Sequence, residues 1–411
     1  MSRRLVIDRE RLLRRLEEIN AINRLADGSC CRVALTDADR LGRDLIVRWM
    51  KELDLEVRVD QIGNIIGLRD GARAEAPIMT GSHIDTVATG GRFDGTLGVL
   101  AGLEVVRTLN DASISTRRPI ALAAFTNEEG VRFQPDMMGS LVYAGGLPLE
   151  AALNATATDG KTLGSELARI GYAGDMPCGT IRPHAYVELH IEQGPILDRE
   201  GEVLGAVEDL QGICWQELMI RGTSNHAGTT PMSMRRDAAY CAARIVVFVR
   251  ELALRMAGSQ VATVGSVRLA PNLVNVIARE AIVTVDLRNT DDALLGEAQQ
   301  ALAAFLEQLA KEEGVTIQAR ALARSESVRF HPRVLGAIEQ AARELNQPIR
   351  RMTSGAGHDA QMIARICPAA MIFVPSIGGI SHNPKENTAP DHLELGANVL
   401  LRTMLSLADG D

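Results

Sequence analysis

Four short, almost unbroken apolar runs constrain this chain more than any other feature: "APIMT" (76–80), "PIALAAFT" (119–126), "AYVEL" (185–189) and "AAMIFV" (369–374). Alternation would mark a strand with one wet face. Runs that are apolar at nearly every position mark strands covered on both faces, as in a parallel or mixed sheet between helices. "GTLGVLAGLEVVRTLN" (95–110) supplies one covering helix, and Leu12, Leu13, Leu16 and Ile19 recur at helical spacing. A second helix is expected to start at Thr36, with Asp39 as capping partner, and to run through Leu41, Leu45 and Trp49. "LEVRV" (55–59) alternates as a half-buried strand.

The rhythm changes between 212 and 326. A strand at "CWQELMIRG" precedes a long helix around "RRDAAYCAARIVVFVRELALRM"; "VATVGSVRLA" and "AIVTVDLRN" follow as a strand pair, then a helix over 291–313 and a strand near "VTIQAR". That order, β-α-β-β-α-β, is the pattern of a ferredoxin-like sandwich. A chain of 411 residues is expected to form two domains. Because the last buried run comes after this segment, the large domain is expected to be discontinuous, 1–211 and 327–411, with the small domain inserted at 212–326.

Net charge of −8 and the lack of a basic stripe argue against nucleic-acid or membrane-surface partners. Aromatic residues make up only 3%, so the core must be aliphatic. The six cysteines, Cys30, Cys31, Cys178, Cys214, Cys241 and Cys367, show no CxxC spacing, which suits a reducing compartment rather than a disulfide scaffold. The N-terminus "MSRRLVIDRERLLRRLEEIN" starts basic but offers no apolar run, and no stretch reaches the length of a membrane helix. A cytoplasmic protein is expected.

Chemistry-bearing residues fall just past the apolar runs. His83 and Asp85 follow the first, within "GSHIDTVATGGRFDG", which also holds Asp94; Glu128 and Glu129 follow the second; His190 follows the third directly; His382 lies in the loop after the fourth. Ligand sites of open α/β sheets form outside the carboxyl ends of the strands, so four strands deliver His, Asp or Glu to one edge. Imidazoles with carboxylates are typical ligands of zinc or a similar divalent ion, and glycines let the loop fold tightly around a cation. In "FTNEEG" the two neighbouring glutamates point in different directions: one can be a ligand while the other acts as general base on a water.

These motifs, with "ELHIEQG", "NHAGTTPMSMRRDA", "NVI…VDLRN", "SGAGHDA" and "ISHNPKE", resemble the dinuclear-metal aminopeptidase clan from about residue 10 to residue 408. Within it they resemble the amidohydrolase branch of N-carbamoyl-L-amino-acid hydrolases, bacterial- and yeast-type β-ureidopropionases and allantoate amidohydrolases. The resemblance implies two divalent ions per subunit, zinc first, with manganese, cobalt or nickel as alternatives. His83, Asp94 and His190 would hold one ion; Asp94 would bridge to the other, completed by Glu129 and His382. Asp85 would orient His83, and Glu128 would be the general base. Where the peptidases usually present a carboxylate, "ELHIEQG" presents His190, which favours ureido or amide substrates.

His226 and Asn275 are implied to stabilise the oxyanion, and Arg288 to pair with the substrate carboxylate, with Gln193 and Gly357 contacting substrate. His358 is expected near the site. The inserted domain would act as a lid and form a homodimer. The implied reaction cleaves the carbamoyl C–N bond of an N-carbamoyl-L-amino acid or N-carbamoyl-β-alanine to the amino acid, carbon dioxide and ammonia. Allantoate amidohydrolase is the alternative; another amidase or dipeptidase of the clan, or an inactive relative, stands behind it.

Overall fold

The computed structural model describes residues 5–410; the basic start of the chain, Met1–Arg4, lies outside them. Thirteen strands occur among the described residues: β1 (Glu56–Val59), β2 (Ile65–Arg69), β3 (Ile78–His83), β4 (Ile120–Phe125), β5 (Ala185–Ile191), β6 (Gly205–Leu210), β7 (Gly212–Arg221), β8 (Val261–Ala270), β9 (Glu280–Asn289), β10 (Thr316–Ser325), β11 (Val328–Arg329), β12 (Arg350–Ser354) and β13 (Ala369–Val374). The chain divides into two compact units, one formed by residues up to Glu208 and from Arg329 onward, the other by Asp209–Val328. The second unit is a few residues wider at each end than the 212–326 segment marked by the sequence.

In the first unit the four apolar runs become β3, β4, β5 and β13. They lie side by side as β4-β3-β5-β13, all parallel and buried at every position. β2 and β6 flank this block antiparallel, which makes the sheet mixed. Helix Thr96–Asp111 lies against the block with small residues inward. Gly98 and Gly102 admit no Cβ, because one would meet the Leu189 carbonyl and Ser82, the other Leu122 and Thr80. Helices Arg9–Asn20 and Pro390–Asp409 pack on it. The first of these buries Leu12, Leu16 and Ile19.

Helix Asp37–Lys51 is capped as its sequence suggests: Thr36 Oγ1 accepts the Asp39 N–H at 3.3 Å, and the Asp39 carboxylate accepts the Leu35 N–H at 2.8 Å. Leu41, expected on its apolar face, is instead 50% exposed, while Leu45, Ile46, Trp49 and Met50 are buried. The buried stripe thus runs one row round from Leu41, through Gly42 and Arg43.

The second unit has strand order β10-β7-β9-β8 with every neighbour antiparallel, the arrangement of a ferredoxin-like sandwich. Helices Ala238–Met256 and Asp292–Glu313 supply Ile245, Val249, Leu302 and Leu309 to a core shared with Leu218, Val283 and Val285 of the sheet. β9 alternates buried and half-buried residues along its whole length, as a strand covered on one face does. All six cysteines are free thiols. No helix of the described residues is long and apolar enough to cross a membrane.

Candidate metal centre

His83 ends β3, opposite Phe125 of β4, and its side chain is 2% exposed. Its Nδ1 lies 2.9 Å from the Asp85 carbonyl oxygen. A carbonyl only accepts, so Nδ1 carries the proton and Nε2 presents its lone pair. His190, in β5, does the same: Nδ1 lies 2.9 Å from the Ile191 carbonyl, leaving Nε2 beside the Gly95 N–H at 3.0 Å. Both imidazoles are therefore held in the tautomer that offers Nε2 to an electrophile.

Asp94 sits between them on the loop from β3 to the helix that starts at Thr96. Oδ1 is 3.3 Å from His190 Nε2 and 3.8 Å from His83 Nε2; Oδ2 is 3.1 Å from His382 Nε2. One oxygen of the carboxylate thus addresses two imidazoles and the other a third. His382 lies past β13 at φ 53°, with its side chain 49% exposed. Its Nε2 is also 3.5 Å from Glu129 Oε2. Ligand atoms of His83, Asp94 and His190 all lie within 4.8 Å of one another, and so do those of Asp94, Glu129 and His382. We refer to these as the inner and outer seats.

Past β4 the chain turns at Asn127, in the left-handed region at φ 54°, which asparagine tolerates. The Asn127 amide holds the turn by donating to the carbonyls of Phe133 (2.9 Å) and Pro135 (3.3 Å). Glu128 Oε2 then comes 3.3 Å from His83 Nε2, and Glu129 Oε1 accepts the Val87 N–H at 3.2 Å. The two glutamates do diverge. Asp85 meets His83 Nδ1 through its carbonyl, and its carboxylate lies 3.9 Å from that nitrogen. The carboxylate accepts the backbone N–H groups of Glu128 and Glu129, each at 3.2 Å, and so holds the turn that presents them.

The donor set suits divalent cations. Burial pushes the Glu128 and Glu129 carboxyls well above the usual range and Asp85 to about 7. Burial also holds His83 down to about 4. It opposes protonation of His190 too, but the hydrogen bond and negative charge of Asp94, together with the charge of Glu188, outweigh it and raise that imidazole to about 9. Asp94 would likewise be raised by burial, yet His190 and His382 hold it well below the carboxylate range. Within a cluster this rich in buried carboxyl groups, a cation supplies the positive charge that bound protons supply otherwise.

Gln193, at φ 57°, donates through Nε2 to Asp94 Oδ2 at 2.9 Å, while its buried Oε1 has no hydrogen-bond partner among the described residues. Gly357 is half-buried against Met137, which follows the glutamate turn; a Cβ there would lie 2.9 Å from Met137 Cε. His358 packs edge-on to His190, ring centroids 4.4 Å apart, with Nε2 3.1 Å from Ser354 Oγ.

The remaining expected residues belong to the second unit. His226 and Asn275 are exposed neighbours there: the Ala227 N–H donates to the Asn275 carbonyl at 3.0 Å, and His226 bridges to Val276. Arg288 donates to the Asp286 carboxylate at 2.9–3.1 Å and lies over the Trp215 ring at 5.9 Å. Asp286 is two residues away on one strand and so shares its face, which is why an acidic partner is already beside this guanidinium.

Glu188, Glu386 and Asp359 are buried acids near the centre that the sequence reading does not single out. Glu188 shares its strand face with His190 and accepts from Ser82 Oγ (2.7 Å), Tyr186 Oη (3.2 Å) and the Ala360 N–H (2.8 Å). A charged residue inside an otherwise apolar run was the available signal. Glu386 lies in "ISHNPKE", four residues beyond His382, and reaches the Asp94 loop.

A two-unit α/β fold with His, Asp and Glu gathered at strand ends presents a candidate metal site. Residues 79–406 match the model of peptidase family M20/M25/M40, and the chain belongs to that family. It is 40% identical over 404 residues to an N-carbamoyl-L-amino-acid amidohydrolase of Rhizobium meliloti, covering 98% of this chain and 97% of that one. It is 33% identical over 389 residues to an allantoate amidohydrolase of Bacillus subtilis, covering 93% and 94%. A crystal structure of an amidase of the hydantoinase/carbamoylase family from Burkholderia multivorans matches with a TM-score of 0.95 at 47% identity, over 99% of both chains. The chain is accordingly an amidohydrolase.

Proposed function

We propose that this amidohydrolase cleaves the carbamoyl C–N bond of an N-carbamoyl-L-amino acid, releasing the amino acid and a carbamate that decomposes to carbon dioxide and ammonia. The observation that carries this reading is Asp94: one oxygen faces His83 and His190, the other His382, as a carboxylate shared by two cations would. The resemblance to N-carbamoyl-L-amino-acid amidohydrolases along nearly the whole chain supports the substrate class. When bound, a pair of divalent ions, zinc first, would polarise the ureido carbonyl and lower the pKa of water.

The chain's own groups do the rest. Glu128, 3.3 Å from His83 Nε2 and raised by burial, takes a proton from the attacking water and returns it to the departing nitrogen. Glu129 and His382 complete the outer seat. Gln193 orients Asp94 through its amide nitrogen and offers its unpartnered oxygen to a ureido N–H. From the second unit, His226 and Asn275 are assigned to the developing oxyanion, and Arg288 to the substrate carboxylate through its planar fork. That unit is also assigned the homodimer contact, and the free thiols fit a reducing, cytoplasmic setting.

The test is a hydrolysis panel with added zinc, manganese, cobalt or nickel: N-carbamoyl-L- and D-amino acids, N-carbamoyl-β-alanine and allantoate. Faster turnover of an N-carbamoyl-L-amino acid than of the others is expected. Preference for allantoate would transfer the assignment to the reaction named for the Bacillus relative, and inertness toward every ureido compound would overturn it.

A further inference from the structure

Glu386 is almost fully buried, at 1% exposure. Its Oε1 accepts the backbone N–H groups of Phe93 (2.8 Å) and Asp94 (3.3 Å), and its Oε2 accepts the Ser381 hydroxyl at 2.9 Å. One side chain thus ties the loop that carries Asp94 to the loop that carries His382. Room for it exists because residue 91 is glycine: a Cβ there would overlap the Glu386 carboxyl group.

Ser381 gives the contact a further meaning. Its oxygen also lies 3.3 Å from Asp94 Oδ2. A hydroxyl has one proton, and the shorter contact directs it to Glu386. Gln193 Nε2 takes one lone pair of Asp94 Oδ2 at 2.9 Å, and the other stays open toward His382, 3.1 Å away.

We propose that Glu386 is a positioning residue for the outer seat: it fixes the Phe93–Asp94 backbone and draws the Ser381 proton away from Asp94, so that Asp94 Oδ2, Glu129 and His382 are free to hold one divalent cation together. The inference rests on the two-ion reading given above. No hydrogen bond of Glu386 goes to a seat ligand's imidazole; it acts through the Asp94 backbone and through Ser381.

The experiment measures zinc binding to the purified full-length chain, stripped by chelator and dialysed. Stoichiometry is read by elemental analysis, affinities by competition with a chromophoric chelator, and the melting temperature is taken without metal. Wild-type protein is expected to bind two ions. In Glu386→Gln the amide oxygen still accepts both backbone N–H groups, so the metal-free melting temperature stays at the wild-type value. The amide NH2 now donates to Ser381, whose proton turns to Asp94, and the second ion binds about 10- to 100-fold more weakly. Adding Ser381→Ala to Glu386→Gln removes that proton and restores much of the second-ion affinity. Glu386→Ala loses both contacts and weakens the second ion at least as much. Wild-type second-ion affinity in Glu386→Ala overturns the proposal, and in Glu386→Gln it overturns the proton argument. Wild-type protein that binds fewer than two ions overturns the two-ion reading itself, and does so before any variant is made.

Discussion

Replacing Gly95 with alanine tests how closely the loop and the inner seat are fitted. Gly95 caps helix Thr96–Asp111 at φ 60°, ψ −47°, a backbone conformation that L side chains rarely adopt. A sparsely populated conformation of this kind costs about 1–3 kcal/mol. A Cβ at 95 would also overlap Nε2, Cδ2 and Cε1 of His83. To reach ordinary van der Waals contact the imidazole must recede by about 1 Å, a misplacement that can cost about a hundredfold in rate. Gly95→Ala should therefore bind the inner ion more weakly and lose about two orders of magnitude in kcat/KM, with stability reduced by the backbone cost.

Gly171→Ala is the control. Gly171 ends helix Leu163–Ile170 at φ 79° and has nothing within 4 Å of its missing Cβ, so alanine there meets backbone strain alone. Denaturant unfolding, zinc content and ureido hydrolysis are compared across the three proteins. Full zinc occupancy and wild-type turnover in Gly95→Ala would refute the argument, as would an equal loss of activity in Gly171→Ala.

Glu128→Gln should keep both ions by elemental analysis and lose about 10²- to 10⁴-fold in kcat, the range of a general base; wild-type turnover would remove Glu128 from that role. His382→Ala should release the outer ion and retain the inner one, whereas His190→Ala should weaken the inner; equilibrium dialysis separates the two outcomes. Asp39→Ala removes the 2.8 Å partner of fully buried Arg43, and an unpaired buried charge should cost about 3–5 kcal/mol in urea unfolding. Asp60 is pushed by burial from 3.8 to about 6. Between those values the folded state binds more protons than the unfolded chain, so this group makes stability fall as pH rises from about 4 to 6. Comparing urea midpoints of wild type and Asp60→Asn across that window should show the slope diminished in the variant.

The central sheet was legible because burial on both faces leaves few polar positions in a strand, and four such runs stand out in a chain with few aromatics. Half-exposed strands such as β1 and β8 were legible too, whereas β12, "RRMTS", looks like neither an alternating nor an apolar run. The gathering of His83, Asp94, His190, Glu129 and His382 follows from strand polarity, since parallel strands put their carboxyl ends at one edge. What residue order cannot supply is which atom of a residue makes a contact. Asp85 supplies its carbonyl to His83 and its carboxylate to the glutamate turn, because the loop folds back within hydrogen-bond reach of both. Arg288 meets Asp286 through the two-residue period of a strand, a period already present in "AIVTVDLRN" once it is read as one. Glu386 was hidden for a different reason: its partners are backbone N–H groups nearly three hundred positions away, on a loop whose own residue types do not advertise them.

The chain leaves the first unit along β6 and returns along β11, and those two strands are hydrogen-bonded neighbours in the large sheet, with the Phe330 N–H donating to the Glu208 carbonyl at 2.9 Å. For the host fold, everything from Asp209 to Val328 is thus one connection between neighbouring strands, however large. A guest that starts and finishes at one doorway adds almost no closure constraint to its host, so such a module could be lengthened, exchanged or trimmed to a tight turn during descent while the strand edge beneath it kept its register.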